Sequence, residues 1–310
     1  MSIKVLCIGD LMLDVVAQIP TSPHELHLGN DTRTIISTHG GGAGGNVASW
    51  LAVLGNDVTM VGRCGDDAAG AAITAEFDSF GISYGQIVKP GLHTGVVICL
   101  VDPSGERTML ADNGANAGLA IEDLPPLDGV DAIYLTGYAP LAPLSRAGVL
   151  AMVQAINAAK IPITFDPATV GGMKDVPVEE ILSWCAQMDT LIMNEEEAIY
   201  LSGSSDIESA LDFFLDYAPR AIIKRGSQGA IGRQQGGEIV SIAAAATEVV
   251  DTTGAGDSFA AGFIDAFTSG TSGTSGTSGS NFEEAIKRAT AVAAHCVAIV
   301  GARGRVGTQI

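Results

Sequence analysis

Short apolar runs alternate along the chain with longer segments in which apolar residues recur at helical spacing. The runs are four to six residues long, as expected of strands that are buried on both faces of a sheet. The segments between them are long enough to form helices that cover such a sheet. This pattern predicts an α/β fold with a mainly parallel central sheet. The predicted strands are 3–8, 58–61, 132–135, 162–165, 190–193 and 221–224, and the predicted helices include 46–54, 68–80 and 144–159.

Two stretches interrupt this alternation. Residues 15–38 show no helical period, and residues 94–110 are typical of two strands joined by a turn at 102–105. We expect both stretches to project from the main sheet as a small β lid, inserted into one domain that spans residues 1–310. The sequence leaves open whether the two stretches pair in space.

A low-complexity segment lies towards the carboxyl terminus. Residues 268–279 are four copies of Thr-Ser-Gly, between a helix expected to begin near Ala255 and another expected to begin near Phe282. Such a composition cannot bury apolar area, so it predicts a flexible surface linker.

The chain is strongly acidic, with 35 acidic and 16 basic side chains in 310 residues and a net charge of −19. Its field repels polyanions, so nucleic acids and anionic membranes are disfavoured as partners. The longest uncharged, mainly apolar run, 289–302, is shorter than the ~20 residues needed to span a bilayer. Asp10 and Asp14 lie where a signal peptide would have its apolar core. We therefore expect a cytoplasmic protein.

The five cysteines are odd in number and lie scattered in apolar surroundings, and no CxxC or HExxH spacing occurs. We therefore expect neither a disulfide framework nor a zinc site. Trp50 and Trp184 are predicted to fill core.

A first glycine cluster, GGGAGG at residues 40–45, precedes Asn46 and a predicted helix. It satisfies the dinucleotide-binding spacing G-x-G-x-x-G, but that motif should directly follow the first strand, which ends near Gly9. Two interpretations stay open. The glycines let the backbone approach a small polyol beside Asn46, or they only permit close packing of a helix on a strand.

A second cluster, DTTGAGDSF at residues 251–259, opens an apolar helix. A Gly-Ala-Gly turn at a helix N-terminus directs backbone N–H groups and the positive end of the helix dipole to one point, which suits an anion. Asp257 is placed to accept a proton from a hydroxyl group that attacks phosphorus. The alternative is a carboxylate that only favours the helix N-terminus. The sequence contains no P-loop.

Polar side chains follow three of the predicted strands. Residues 194–197, NEEE, follow one of them, and Asp166 and Lys224 end two others. Because the strand ends of a parallel sheet border the ligand crevice, an Asn with several Glu there suits hydrated Mg²⁺. The alternative is an ordinary acid-rich helix N-terminus.

These residues resemble the ribokinase (PfkB) family of carbohydrate kinases over essentially all 310 positions. Two separated motifs carry the resemblance, GGGAGGNVASWLAVLGNDVTMVGRCGDDAAG at 40–70 and DTTGAGDSFAAGF at 251–263, and NEEEA and KRGSQG add support. The resemblance implies a three-layer α/β/α sandwich with a small β lid. It also implies an ATP-dependent kinase that phosphorylates a hydroxymethyl group of a small carbohydrate, uses Mg²⁺ and in some members K⁺, and forms a homodimer through the lid.

The resemblance further implies roles at the second glycine cluster and at NEEE. Asp257 matches the general base of the family. The N–H groups of Gly254, Ala255 and Gly256 match its anion hole. Asn194 and Glu197 match the N-x-x-E motif that organises magnesium through water.

Three more sets of positions follow from the resemblance. Asp251 and Thr253 match part of a monovalent-cation loop whose other ligands are carbonyls near 297–304. The positions matching ATP contacts are Asn194, Lys224, Gly226, Gly229 and Thr253. The positions matching substrate contacts are Asp14, Gly41, Gly42 and Asn46, with Arg107 and Tyr138 as further candidates.

Two departures from ribokinase itself bear on the substrate. Ala43 stands where ribokinase has a lysine, and Tyr138 stands where it has a glutamate after the fifth strand. The missing carboxylate weakens ribose as the substrate. Arg107 is either a bidentate ligand for a phosphate or carboxylate group of the substrate or a solvated charge on a lid strand.

A sugar kinase is thus the leading hypothesis, and a nucleoside kinase of the same fold is the alternative that the sequence does not separate from it. A catalytically silent sugar or nucleotide sensor is disfavoured, because a sensor has no need of Asp257. A dinucleotide-dependent oxidoreductase is the weakest hypothesis, because it rests on one misplaced glycine pattern.

Overall fold

The structure is a computed structural model that describes residues 2–27, 29–271, 278–305 and 307. Its strands are β1 (Lys4–Ile8), β2 (Met12–Gln18), β3 (Ile35–Gly41), β4 (Asp57–Val61), β5 (Cys64–Gly65), β6 (Val88–Lys89), β7 (Gly95–Val101), β8 (Arg107–Asp112), β9 (Ala132–Thr136), β10 (Ile163–Asp166), β11 (Thr190–Asn194), β12 (Arg220–Lys224), β13 (Ala230–Gln234) and β14 (Val240–Ile242). Its helices are α1 (Ala43–Val53), α2 (Ala68–Phe80), α3 (Tyr138–Leu141), α4 (Arg146–Ala159), α5 (Val170–Met173), α6 (Val178–Cys185), α7 (Glu195–Ser202), α8 (Ile207–Phe214), α9 (Ala255–Thr271) and α10 (Ser278–Val297).

The main sheet joins eight of the described strands in the order β14-β13-β12-β11-β10-β9-β1-β4. The six strands from β12 to β4 are parallel, and β13 and β14 continue the sheet antiparallel at one edge. The predicted apolar runs form this sheet because its central strands are covered on both faces, and β9 is buried along its whole length. The predicted mainly parallel α/β sheet is confirmed.

Helices lie on both faces of the main sheet, and each face has its own apolar core. Because successive side chains of a strand point to opposite faces, Leu6 lies in the core that contains Trp184, whereas Val5 lies in the core that contains Trp50. Both tryptophans are buried, as predicted. The three-layer arrangement expected from the resemblance is confirmed.

A smaller sheet joins four of the described strands in the order β3-β2-β7-β8. Val15 on β2 lies opposite Ile98 on β7 in a parallel pair, so the two interrupting stretches pair with each other. The strands extend past the predicted bounds of 15–38, because the β2–β3 ladder continues to the pair of Met12 with Gly41.

Three predicted helix boundaries are wrong, and one of them is the start of α10, which lies at Ser278 and not near Phe282. Helix α1 begins at Ala43 and not at Asn46, since Gly44 and Gly45 lie inside its first turn. The Thr-Ser-Gly repeat does not begin as a linker, because α9 continues to Thr271. The aromatic rings of Phe267 and Phe282 meet edge to face at 6.4 Å and hold the end of α9 against α10. Residues 272–277 of the repeat lie outside the described residues.

All five cysteines are buried and free. Among the described helices, none combines the length and the apolar character that a bilayer crossing requires.

Candidate active site

A cavity of about 450 Å³ lies between the small sheet and the carboxyl ends of the main-sheet strands. Every second residue of the small-sheet strands faces it, as the pleat of a strand requires. The loop after β1, the start of α3 and the first turn of α9 complete its wall. The predicted site residues among its lining are Asp14, Gly42, Arg107, Tyr138, Asp251, Thr253 and Asp257.

Asp257 lies in the first turn of α9, at the wall of this cavity. Its Oδ2 accepts a hydrogen bond of 2.8 Å from the side-chain amide of Asn46 on α1. The burial of the carboxyl raises its pKa to about 7, and the charges of Asp166 and Asp10 add to this effect, whereas Asn46 and Lys224 act against it. A carboxyl group with this pKa is suited to accept a proton near neutral pH.

The turn before α9 presents unused backbone donors. Gly254 has a φ of +77°, and a Cβ there would lie 2.4 Å from the carbonyl oxygen of Ala302, so glycine is required. The N–H of Ala255 donates to the carbonyl of Thr252 at 3.3 Å, so it is not free for an anion as the resemblance implied. The N–H groups of Gly254 and Gly256 donate to no acceptor in the described part of the chain, as is usual at a helix N-terminus.

Lys224 brings a positive charge to the same turn. A Cβ on Gly256 would lie 3.1 Å from its Nζ, so the ammonium group lies directly beside the start of α9. Burial lowers the pKa of Lys224, but the carboxylates of Asp166 and Glu197 outweigh this and raise the pKa above its ordinary value. The ion pair with Asp166 measures 2.6 Å. A charged lysine and a helix N-terminus therefore converge where an anion would bind.

Asn194 and Glu197 form a capping box at the start of α7. The Glu197 carboxyl accepts from the backbone N–H of Asn194 at 2.8 Å and from its side-chain amide at 2.7 Å. Burial, with the nearby charge of Asp166, raises the pKa of Glu197 to about 8. The helix N-terminus that the sequence offered as an alternative is therefore present.

The capping box bears on the predicted magnesium site. Each carboxyl oxygen of Glu197 already accepts one hydrogen bond from Asn194, so a directly bound metal ion would have to share these oxygens with the cap. No group of three or more His, Cys, Asp or Glu side chains in the described residues has the arrangement of a metal site. The donor set fits Mg²⁺ that keeps its waters and is held mainly by phosphate oxygens.

The first glycine cluster serves packing at two positions. Gly42 has a φ of +85°, and a Cβ there would lie 2.5 Å from the carbonyl oxygen of Asp10. A Cβ on Gly44 would lie 2.9 Å from the Cα of Gly9. The close packing of helix on strand is therefore one of the functions of the cluster. Gly42 also lines the cavity, so the interpretation that backbone approaches a ligand there stays open.

Two predicted substrate residues lie outside the cavity wall. Neither Gly41 nor Asn46 is among its lining residues. The amide of Asn46 donates to Asp257 and accepts from Arg303, so both of its ends already have protein partners. Asn46 therefore lies behind the carboxylate of Asp257 rather than facing a ligand.

Asp10 is a cavity residue that the sequence analysis did not single out as a site residue. Its carboxylate accepts the backbone N–H groups of Ala43 at 3.2 Å and Gly44 at 3.4 Å. It thus caps α1 from the loop that follows β1. Burial raises the pKa of Asp10, and it likewise raises the pKa of Asp14 to about 6. The position of Asp10 at a predicted strand end was the signal that could have found it.

Arg107 has a partner that neither of its two interpretations included. Its Nη2 donates to Oδ1 of Asp251 at 2.6 Å, across from β8 to the loop before α9. The same Oδ1 accepts the N–H and the hydroxyl of Thr253, and Oδ2 accepts the N–H of Gly301. Burial raises the pKa of Asp251, but these donors outweigh burial and lower the pKa to about 2.

This arrangement does not fit the monovalent cation that the resemblance implied. The Asp251 carboxylate is surrounded by hydrogen-bond donors, and a guanidinium group already supplies the positive charge beside it. A cation at the same carboxylate would be repelled by Arg107. The assignment of Asp251 and Thr253 as cation ligands is therefore not supported by their contacts.

Of the positions matched to ATP, only Thr253 is in the cavity wall. Gly226 and Gly229 form the turn after β12, with φ angles of +54° and +91°. A Cβ on Gly229 would overlap the carbonyl oxygen of Ile242, so this glycine packs the turn against β14. Tyr138 is 44% exposed and lines the cavity.

Comparison with known proteins gives one consistent result. The family model described as pfkB family carbohydrate kinase matches residues 2–307. The chain is 30% identical over 271 residues to an ATP-dependent ribose-1-phosphate kinase of Halopiger xanaduensis, covering 84% of each chain. It is 30% identical over 234 residues to a fructokinase of Klebsiella pneumoniae, covering 72% of this chain and 75% of the relative. The crystal structure of adenosine kinase from Sinorhizobium meliloti shares the fold, with a TM-score of 0.84, 24% identity, and coverage of 98% of this chain and 96% of that one.

Proposed function

The chain belongs to the pfkB family of carbohydrate and nucleoside kinases, which are ATP-dependent phosphotransferases, and from this premise we propose that it transfers the γ-phosphate of ATP to a hydroxymethyl group of a small carbohydrate. The observation that carries the proposal is the placement of Asp257. Its carboxyl lies at the wall of the cavity and at the start of α9, where free N–H groups and Lys224 converge. A proton acceptor and an anion site are thus adjacent.

Each group has a distinct part in the reaction. Asp257 accepts the proton of the attacking hydroxyl group as the hydroxyl oxygen bonds to the γ-phosphorus and the bond from that phosphorus to the leaving ADP oxygen breaks. The N–H groups of Gly254 and Gly256 and the ammonium group of Lys224 stabilise the charge on the transferred phosphoryl group. Phosphoryl transfer needs positioning and charge stabilisation more than covalent help from the protein, and these residues supply both.

The family uses ATP with a divalent metal, and we propose Mg²⁺ as that metal. Bound Mg²⁺ would neutralise charge on the β- and γ-phosphates. Asn194 and Glu197 would contact it through water, because both carboxyl oxygens of Glu197 already serve the capping box and Mg²⁺ keeps several of its waters.

The substrate occupies the cavity under the small sheet in this proposal. Asp14 and the backbone at Gly42 are placed to bind hydroxyl groups. Tyr138 stands where ribokinase has a glutamate, and the absence of that carboxylate favours substrates other than ribose. A nucleoside is the second candidate, because apolar side chains of the small sheet such as Val97 and Met109 line the cavity and suit the faces of a base.

The first prediction concerns the base. Asp257→Asn keeps the shape and the contact with Asn46 but cannot accept the proton, so we expect turnover to fall about 10²–10⁴-fold. The measurement is ADP release with ATP and Mg²⁺ against a panel of pentoses, hexoses, acidic sugars, sugar phosphates and nucleosides. Asp216→Asn, at an exposed position, is the matched control.

The outcome of the panel separates the hypotheses. Turnover on one member that is lost in Asp257→Asn and kept in Asp216→Asn supports the kinase and decides between sugar and nucleoside. Silence on the panel with tight ATP binding favours a sensor. Full activity of a folded Asp257→Asn protein would show that another group is the base.

The second prediction is a pH dependence. The base must be deprotonated to act, and the pKa of Asp257 is about 7. We therefore expect kcat/KM to be low in acid and to rise with pH, with a midpoint near pH 7. A profile that stays flat from pH 5 to 9 would contradict this assignment (the ordinary pKa of an aspartate lies near 4).

The third prediction concerns potassium. Arg107 forms an ion pair with Asp251 and so supplies the positive charge beside its carboxylate. We therefore expect full turnover when K⁺ is replaced by tetramethylammonium at equal ionic strength. The control is Arg107→Gln, which removes this charge and opens Asp251 to cations, so its turnover should respond to K⁺. A tenfold loss of kcat by the unmodified chain without K⁺, about 1.4 kcal/mol in the barrier, would contradict the prediction.

The fourth prediction concerns assembly. We propose a homodimer through the small sheet, supported by exposed apolar side chains on the face turned away from the cavity, with Ile36 61%, Ile98 41% and Leu110 57% exposed. Ile98→Glu should weaken the dimer at least about 100-fold, because it would bury a charge in the interface. Leu144→Glu, at an 82% exposed position off the small sheet, is the control. Sedimentation velocity should show a monomer only for Ile98→Glu, and a monomer for the unmodified chain would refute the interface.

A further inference from the structure

Arg303 lies buried behind the first glycine cluster, with 7% of its surface exposed. A guanidinium group is seldom buried without partners, and this one donates to three separate elements. Its Nε donates to Oδ1 of Asn46 at 3.2 Å, its Nη2 to the carbonyl of Gly41 at 2.9 Å, and its Nη1 to the carboxylate of Glu76. Its guanidinium carbon also lies 5.4 Å from the centre of the Phe77 ring.

The glycine cluster leaves the space that this side chain fills. A Cβ on Gly40 would lie 2.2 Å from Nη1 of Arg303, and a Cβ on Gly45 would lie 2.5 Å from Nη2. Neither position has the positive φ that requires glycine at Gly42. Gly40 and Gly45 thus leave room for Arg303, and a Cβ on Gly40 would also lie 2.1 Å from Oε2 of Glu76.

Asn46 connects Arg303 to the base. An asparagine amide has an accepting end and a donating end, and its neighbours decide which way it points. Arg303 can only donate, so it holds the oxygen of the Asn46 side chain. The NH₂ end must then face Asp257, where it donates at 2.8 Å.

We propose that Arg303 is a positioning residue for the kinase reaction, which fixes the orientation of the Asn46 amide and so keeps its donor on the Asp257 carboxylate. The inference rests on the proposed function of Asp257. Through the carbonyl of Gly41 the same guanidinium also holds the backbone between Gly40 and Gly42, both of which line the cavity. Arg303 does not itself line that cavity.

The charged groups around this relay come from several elements. Asp10, Asp166 and Lys224 act on Asp257 from the loop after β1, from β10 and from β12. Glu76 on α2 and Asp14 on β2 face Arg303. Of these, Glu76 can be changed without touching the cavity wall, so Glu76→Gln serves as a comparison that alters the charge near Arg303 and leaves its bond to Asn46.

The test is the pH profile of kcat/KM, with kcat and KM resolved, for five single variants and one double variant. In Arg303→Met the Asn46 amide is free to turn its oxygen towards Asp257, which disfavours the carboxylate. We expect kcat to fall about 10–100-fold, as for a misplaced reacting group, and the acid midpoint to rise by about one pH unit. Arg303→Lys, which keeps the charge and a donor, should show a smaller shift, and Glu76→Gln the smallest.

The double variant separates the relay from a general effect of the charge. In an Asn46→Leu background the link is already broken, so adding Arg303→Met should move the midpoint no further. Guanidinium chloride at low millimolar concentration should restore part of the activity and the midpoint of Arg303→Ala. It has access because Arg303 borders a second, open cavity of about 480 Å³.

Two results would overturn the inference. One is an unchanged midpoint in Arg303→Met, with the loss of activity explained by lowered thermal stability. If Arg303→Met does not fold, the same result in Arg303→Lys overturns the inference. The other is a full additional shift in the Asn46→Leu background. Failure of the proposed function would look different, because the unmodified chain would then be silent on the panel, or Asp257→Asn would keep its turnover.

Discussion

The rest of this site depends on one constraint, the close placement of several carboxylates at the carboxyl ends of the main-sheet strands. Asp10 and Asp166 both act to raise the pKa of Asp257, and burial acts in the same direction. Without nearby positive charge such a group would stay protonated at neutral pH. Lys224 supplies that charge from β12, and Arg303 supplies it from the carboxyl-terminal segment. The pKa of Asp257 near 7 is the balance of these opposing effects.

The same balance divides the site into two sides. The small sheet covers a cavity whose wall is partly apolar and which holds few charges besides Asp10, Asp14 and Asp257. Lys224 lies at the start of α9, where phosphate would bind in the proposed reaction. In the proposed reaction the acceptor hydroxyl and the phosphoryl group would meet at this carboxylate.

The glycines of the first cluster show how one motif can satisfy several physical demands. Gly42 supplies a backbone conformation that other residues rarely adopt, and Gly44 allows α1 to approach Gly9. Gly40 and Gly45 leave room for the guanidinium group of Arg303. A search for one function of the motif would find only part of this, since the demands come from three different neighbours.

The sequence by itself determined the layers, the parallel strands and the family, because apolar periodicity and the motif around Asp257 are local properties of the chain. It also located the two glycine clusters and the acidic residues at the strand ends. It did not decide whether residues 194–197 cap a helix or bind a metal. Tertiary structure alone decided which charges meet. Arg107 and Asp251 are 144 positions apart, and Arg303 and Asn46 are 257 apart. Hydrogen bonds, burial and Coulomb energy depend on distances in space, and those distances exist only once the separate segments have packed.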